Sequence, residues 1–363
     1  MSDLERLIAD VIRAEGPLSI ARFMALALHH PELGYYTRGD PLGPGGDFVT
    51  APELSQAFGE VIGAWFAQAW LDLGRPAPFR LVELGPGRGT LLADALRATR
   101  TVAGFHDGMR LHLVESSERL RATQAARLAG FDPTWHARLD EVPSGPLLLI
   151  ANEFFDALPV HQLVATTGGW VERCVDLDAE GRLAFRPGEH PSPLGADLPP
   201  APAGTMTEVS PARSALAEAI GRRIARDGGV ALIIDYGAWA EGPTGDTLQA
   251  TRRHAPCDPL DAPGTADLTT HVDFHALAGA AASGGASVYG PVPQGTFLTT
   301  LGIHLRTAKL MERATAEQQR ALRAALFRLT DASAMGELFK VLALAAPDAP
   351  APPGFARPTL RPC

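Results

Sequence analysis

The chain has 363 residues, 46% of them hydrophobic and 20% charged, with a net charge of -9. That is enough apolar material for a large buried core, and the negative charge argues against general affinity for phosphate backbones or anionic bilayers, which it would repel at long range. Cys174, Cys257 and Cys363 stand too far apart to form a zinc knuckle or a disulfide framework.

The N-terminus, "MSDLERLIADVIRAEG", alternates acids with apolar residues at helical spacing. It has no basic n-region, no apolar h-region and no Arg-rich transit character, so a cytoplasmic enzyme is expected. No stretch approaches the roughly 18 uninterrupted apolar residues of a membrane span, so no membrane insertion is expected. Helices are predicted over 4–14, 20–28 and 54–73, with the Gly-, Pro- and Asp-rich stretch 29–53 between them read as loop. From residue 79 the rhythm changes. Short apolar runs at 79–85, 110–117, 146–153 and 229–237, with a weak one around Trp135, alternate with helical patterns. Two more strands, "ASVYGPV" and "GELFKVLALA", close the series, and 297–329 reads as mostly helix. Alternation of this kind implies an α/β fold: a doubly wound, seven-stranded, mostly parallel Rossmann-like sheet with an N-terminal helical cap and insertions. The expected division is a cap with a covering loop (1–75), the sheet domain (76–346) with insertions at about 160–205 and 238–272, and a Pro-rich tail (347–363).

At the first strand-to-helix junction, "VELGPGRGTL" places Gly85, Gly87 and Gly89 where the chain must turn sharply and bring bare backbone close to a ligand. The spacing fits a dinucleotide poorly. Thr90 and Leu91 follow Gly89 where a Walker loop would need Lys and Ser or Thr. A ligand with a carboxylate for the helix N-terminus and a ribose for an acid further on fits better. S-adenosyl-L-methionine has both, and its ammonium favours an acid such as Glu83. Glu115, with Ser116 beside it, ends the second strand, where a ribose-binding acid belongs.

"ANEFFDALPV" leaves the fourth strand beside the first. Asn152, Glu153 and Asp156 are expected at the C-terminal rim of the sheet, near the cofactor's methyl group. Phe154 and Phe155 would exclude water and offer planes for a flat cation. A guanidinium suits two acids, because it presents a fork of N–H donors to carboxylates. The opposing reading is that Glu153 and Asp156 only cap a helix or turn. His271, in "DLTTHVDF", is read as a proton acceptor or, alternatively, as a structural hydrogen-bond partner. Asp235 and Tyr236 end the fifth strand on the same rim, and the basic residues between Arg306 and Arg328 read as a solvated face. No metal site is indicated.

Six segments, "HHPELGYYTRGDPLGPGGDFVTAPELSQAFGE", "LVELGPGRGTLLADALR", "NEFFDALPVHQ", "IIDYG", "DTLQATRRH" and "ADLTTHVDF", resemble the MidA-like family in order across about residues 15–345. The resemblance implies a class I S-adenosylmethionine-dependent methyltransferase. Mitochondrial members of that family methylate an arginine of a respiratory complex I subunit and serve complex I assembly. Carried onto this chain, Gly85, Gly87, Gly89 and Glu115 would bind the cofactor, residues 152–159 would line the transfer site, and 47–53 would cover it. The implied partner is a protein substrate, in the mitochondrial case an NADH dehydrogenase subunit, with homodimerisation left open. Two rivals use the same scaffold: a small-molecule or lipid O- or N-methyltransferase, and a non-catalytic cofactor-binding assembly factor. DNA adenine methylation fits badly, since Asn152 is followed by Glu-Phe-Phe where Pro-Pro and an aromatic are wanted.

Overall fold

Leu147, Leu148, Leu149 and Ile150 are wholly buried, which explains why the run has no polar alternation: both faces of a parallel strand are covered. The sheet is built from β1 (Phe79–Leu84), β2 (Met109–Val114), β3 (Thr134–His136), β4 (Leu147–Asn152), β5 (Gly229–Ala238), β6 (Ser287–Pro293) and β7 (Phe339–Ala345). Their order is β6-β7-β5-β4-β1-β2-β3. Strands β1 to β5 pair in parallel, and β7 runs antiparallel between β5 and β6. The expected mainly parallel α/β sheet is therefore present. After β1 the chain builds outward through β2 and β3, then returns to the opposite side of β1 as β4. The order of strands reverses there, and the crevice beyond the C-terminal ends of β1 and β4 is where such sheets bind ligands.

The computed structural model describes residues 2–38 and 50–362, which fall into two units. The sheet unit comprises 50–155, 215–239 and 274–362; the other comprises 2–38, 156–214 and 240–273. In the sheet unit, helix Gln56–Asp72 is buried along most of its length against helix Thr90–Thr99. Gly59 and Gly63, one turn apart, allow this approach. A methyl group at Gly63 would lie 2.5 Å from the Ala95 carbonyl oxygen, and one at Gly59 would lie 2.7 Å from the Asp94 Cβ. The helix that follows the glycine turn is thus seated backbone against backbone.

The second unit gathers three separate stretches of chain. Strands His161–Thr166, Gly169–Leu177, Leu183–Pro191 and Met206–Val209 form an antiparallel sheet that Leu18–Ser19 joins at one edge. Leu4, Ile8 and Ile12, at helical spacing on Asp3–Glu15, pack with Phe23, Met24 and Leu28 of Ile20–His29 in a common core. Ser2 and Glu5 cap the first helix reciprocally.

The stretch read as loop, 29–53, and the second insertion, 238–272, contain short elements. Tyr35–Arg38 and Ala51–Leu54 are helical, and Gln249–Arg252 pairs with both Ala255–Cys257 and Asp267–Thr269. Elements of two to four residues carry no periodicity of their own, because tertiary partners create them. Of the expected covering loop 47–53, residues 47–49 lie outside the described residues.

Candidate active site

The glycine turn leaves β1 with Gly85, Gly87 and Gly89 at φ 60, 52 and 75, a left-handed region that side chains other than glycine rarely adopt. Gly85 is tight as well: a Cβ there would sit 2.6 Å from Phe154 Cδ2, so the ring packs on bare backbone. Gly89 precedes Thr90–Thr99 and contributes no side-chain cap, leaving the positive end of that helix toward the crevice.

Two buried acceptors stand at the ends of β1 and β4. Glu83 is 3% exposed, its Oε2 has no hydrogen-bond partner among the described residues, and burial pushes its carboxyl up to about 8. Asn152 is also buried, and its Oδ1 likewise has no partner. Glu83 pairs in register with Ile150, two residues before Asn152, so both side chains point to the same face of the sheet. Buried polar atoms without partners are rare and call for a ligand or water. Their placement beside the glycine turn fits the ammonium-bearing end of S-adenosyl-L-methionine.

Glu115 follows β2. Its Oε1 accepts from the Ser117 amide at 2.8 Å and its Oε2 from Gln124 Nε2 at 3.2 Å. Burial raises its pKa, and the Ser117 and Gln124 bonds partly oppose that. Gln124, wholly buried in helix Glu118–Arg127, also donates to the Gly87 carbonyl at 2.7 Å and accepts from Trp135 Nε1 at 2.8 Å. One side chain therefore ties the glycine turn to the acid of the second strand. Ser116 is exposed beside them. The Thr90 hydroxyl bonds Glu53 and receives Arg127.

Glu153 has φ 50, strained for a residue with a side chain. Its Oε1 accepts from the Ala51 amide at 2.9 Å and from Asn152 Nδ2 at 3.0 Å, which caps helix Ala51–Leu54 from 102 positions away. Wholly buried Asp235, one residue past the last β5 position paired with β4, holds the next two amides: Phe154 at 3.2 Å and Phe155 at 2.9 Å on Oδ2, with Tyr236 at 2.9 Å on Oδ1. The expectation of two ring planes for a cation is corrected here. Phe155 is 0% exposed and belongs to the core, while Phe154 is half-buried against Gly85.

Glu83, the three glycines, Thr90, Glu115, Ser116, Asn152 and Glu153 thus belong to the sheet unit, whereas Asp156 and His271 belong to the other. There they share an unexpected partner. Arg213, 6% exposed, donates to the His271 carbonyl at 2.7 Å, the Asp156 carbonyl at 3.0 Å and the Thr270 hydroxyl at 2.6 Å. Asp156 Oδ1 accepts from the Ala157 amide at 2.9 Å. The His271 amide donates to Thr247 Oγ1 at 2.9 Å, and burial lowers the pKa of its imidazole, favouring the neutral ring. Sequence reasoning missed Gln124 and Arg213, which sit in ordinary helical patterns. Asp235 carried a signal, an acid directly after an apolar run.

A family model described as S-adenosyl-L-methionine-dependent methyltransferase matches residues 61–292. The Drosophila melanogaster protein named "Protein arginine methyltransferase NDUFAF7 homolog, mitochondrial" is 38% identical over 363 residues, covering 92% of this chain and 82% of its own. The Mus musculus protein named "Protein arginine methyltransferase NDUFAF7, mitochondrial" is 39% identical over 362 residues with the same coverage. Among solved structures, a Burkholderia thailandensis protein bound to S-adenosyl-homocysteine superposes with a TM-score of 0.82 at 30% identity, over 98% of this chain and 94% of that one.

These relatives overturn the expected cytoplasmic location, because they are named as mitochondrial. Compartment is addressed by leader segments that receptors read, and an amphipathic helix that packs into a fold says nothing about it. The cofactor is S-adenosyl-L-methionine, and the chain belongs to the MidA-like family of S-adenosyl-L-methionine-dependent methyltransferases.

Proposed function

We propose that this enzyme methylates an arginine side chain of a protein, by family resemblance a subunit of respiratory complex I. The names of relatives 38% and 39% identical across 92% of the chain support the arginine acceptor. The observation that carries the site is the pair of buried acceptors, Glu83 Oε2 and Asn152 Oδ1, which have no partner among the described residues and lie on one face of adjoining strands.

When bound, the cofactor supplies an electrophilic sulfonium methyl. In this reading Glu83 meets the methionine ammonium, the Gly87 and Thr90 amides meet its carboxylate on a turn shaped by Gly85 and Gly89, whose own amides donate to the Val114 and Pro86 carbonyls, and Glu115 accepts from the ribose hydroxyls with Ser116 alongside. Glu153 receives the guanidinium. Its carboxylate is oriented by the Ala51 amide and Asn152 and accepts N–H bonds, which leaves lone-pair density on the nitrogen that attacks. The N–C bond forms as the S–C bond breaks, and the nitrogen gives up its proton afterwards. Alignment and exclusion of water, to which Phe154 contributes, then do most of what a strong base would do. The sequence adds Asp156 as the second carboxylate and His271, whose pKa burial lowers, as the proton acceptor.

Mass spectrometry of respiratory-chain subunits from cells with the wild-type gene, without it, and with Glu153→Gln tests this reading. Glutamine retains an oxygen for the Ala51 amide but removes the charge. The expected result is one methylarginine that is lost in the deletion strain and at least about a hundredfold slower to form in Glu153→Gln, with cofactor affinity unchanged. An identical set of methylarginines in all three strains would sink the proposal.

A further inference from the structure

Helix Ala316–Thr330 buries Ala325 and Leu329 and turns a different kind of face outward. Phe327 is 57% exposed. Arg320, Arg323 and Arg328 are exposed around it, and at helical spacing the four residues fall within an arc of about 140°. None of the three arginines lies within ion-pair distance of a carboxylate among the described residues. Arg323 reaches only the Gln319 side-chain oxygen, at 3.1 Å. Leu305, 79% exposed, lies on the preceding helix, Ile303–Met311, which packs against this one.

A single exposed phenylalanine is ordinary on a protein surface. Three guanidinium groups beside one are less ordinary: Glu317, on the same arc, stands three positions before Arg320, and Asp331, which accepts from Ser333, three positions after Arg328, yet neither acid comes within ion-pair distance of an arginine of this face. Aromatic residues and arginine are the types enriched at protein interfaces, where an apolar anchor is buried and the surrounding forks take carboxylates. The sign of the partner follows from the rest of the chain. With a net charge of -9, most of the surface repels an acidic ligand, and this face attracts one, so approach is steered here. The same global charge disfavours a nucleic acid or an anionic membrane, whose charge is spread over a much larger area.

We propose that the outer face of helix Ala316–Thr330 docks an acidic protein segment, with its carboxylates on Arg320, Arg323 and Arg328 and an apolar side chain against Phe327. This docking is separate from methyl transfer and does not depend on the acceptor named above.

The test uses the full chain and four probes: a glutamate–tyrosine random copolymer, polyglutamate, oligothymidine, and phosphatidylglycerol vesicles. Affinity is measured by anisotropy or co-sedimentation at low and moderate salt. The copolymer is expected to bind best, several-fold tighter than polyglutamate, with affinity falling as salt rises. Phe327→Ser should reduce copolymer binding to the polyglutamate level, and R320E/R323E/R328E should weaken it by at least about tenfold. Both variants should keep the wild-type melting temperature and cofactor affinity. Absence of copolymer binding, binding that survives charge reversal, or stronger binding to oligothymidine or vesicles would each overturn the proposal.

Discussion

Lowering the pH from 8 to 6 is expected to weaken S-adenosyl-L-methionine binding by about twentyfold to fiftyfold, and Glu83→Gln is expected to abolish that dependence. The buried Glu83 carboxyl has no donor to its Oε2 among the described residues, and burial pushes its pKa from 4.5 to about 8. An ammonium group pairs with the carboxylate but not with the neutral acid. Binding below pH 8 must therefore expel a proton, and affinity rises about tenfold per pH unit until the carboxyl ionises by itself. The α-amino group of the cofactor loses its own proton around pH 8, so the profile should peak near that value. Titration calorimetry in two buffers of different ionisation enthalpy would report release of close to one proton at pH 6.5. Release of none, or a flat wild-type profile, would remove Glu83 from the cofactor site.

The same group makes a separate statement about stability. Between pH 4.5 and about 8 the folded cofactor-free protein holds a proton on Glu83 that the unfolded chain has lost. The Glu83 contribution to stability is thus fully present below pH 4.5 and disappears as pH rises through about 8. Cofactor-free Glu83→Gln should accordingly melt higher than wild type at pH 8, with the difference gone at pH 4.5.

Asp235→Ala is expected to cost about 3–5 kcal/mol of stability and most of the methyl transfer activity, measured by chemical denaturation and by turnover. Asp235 is wholly buried, and its carboxylate accepts from the amides of Phe154, Phe155 and Tyr236. Alanine leaves those amides without their acceptor, each at about 1–3 kcal/mol if it stays buried. The same bonds hold the turn that carries Glu153 at φ 50 and lays Phe154 on Gly85. Asp235→Asn should fall between the two, since its oxygen can serve Phe154 and Phe155 while its amide group opposes the Tyr236 N–H. A variant within about 1 kcal/mol of wild type would mean that the turn stands without this carboxylate.

Much of this enzyme is legible along the chain. The unbroken apolar run 147–150 indicates a strand covered on both faces, and the wholly buried residues there agree. Glycines at 85, 87 and 89 directly after an apolar strand point to a backbone that must turn with positive φ, which is what β1 leads into. Glu83 and Asn152, polar residues at the ends of such strands, fall on one face through strand register alone. All of these are local properties: the steric limits of a residue, and the alternation imposed by a strand.

Tertiary structure decided the rest. No spacing rule links Glu153 to the amide of Ala51, 102 positions away, or Arg213 to the carbonyls of Asp156 and His271. Adjacent phenylalanines look alike in sequence, yet Phe155 is buried and Phe154 lies on a glycine. Nor does composition reveal that 2–38, 156–214 and 240–273 gather into one unit. The reason is physical. Propensity and periodicity act over a few residues, whereas burial and hydrogen-bond partnership depend on which distant segments the completed fold brings together.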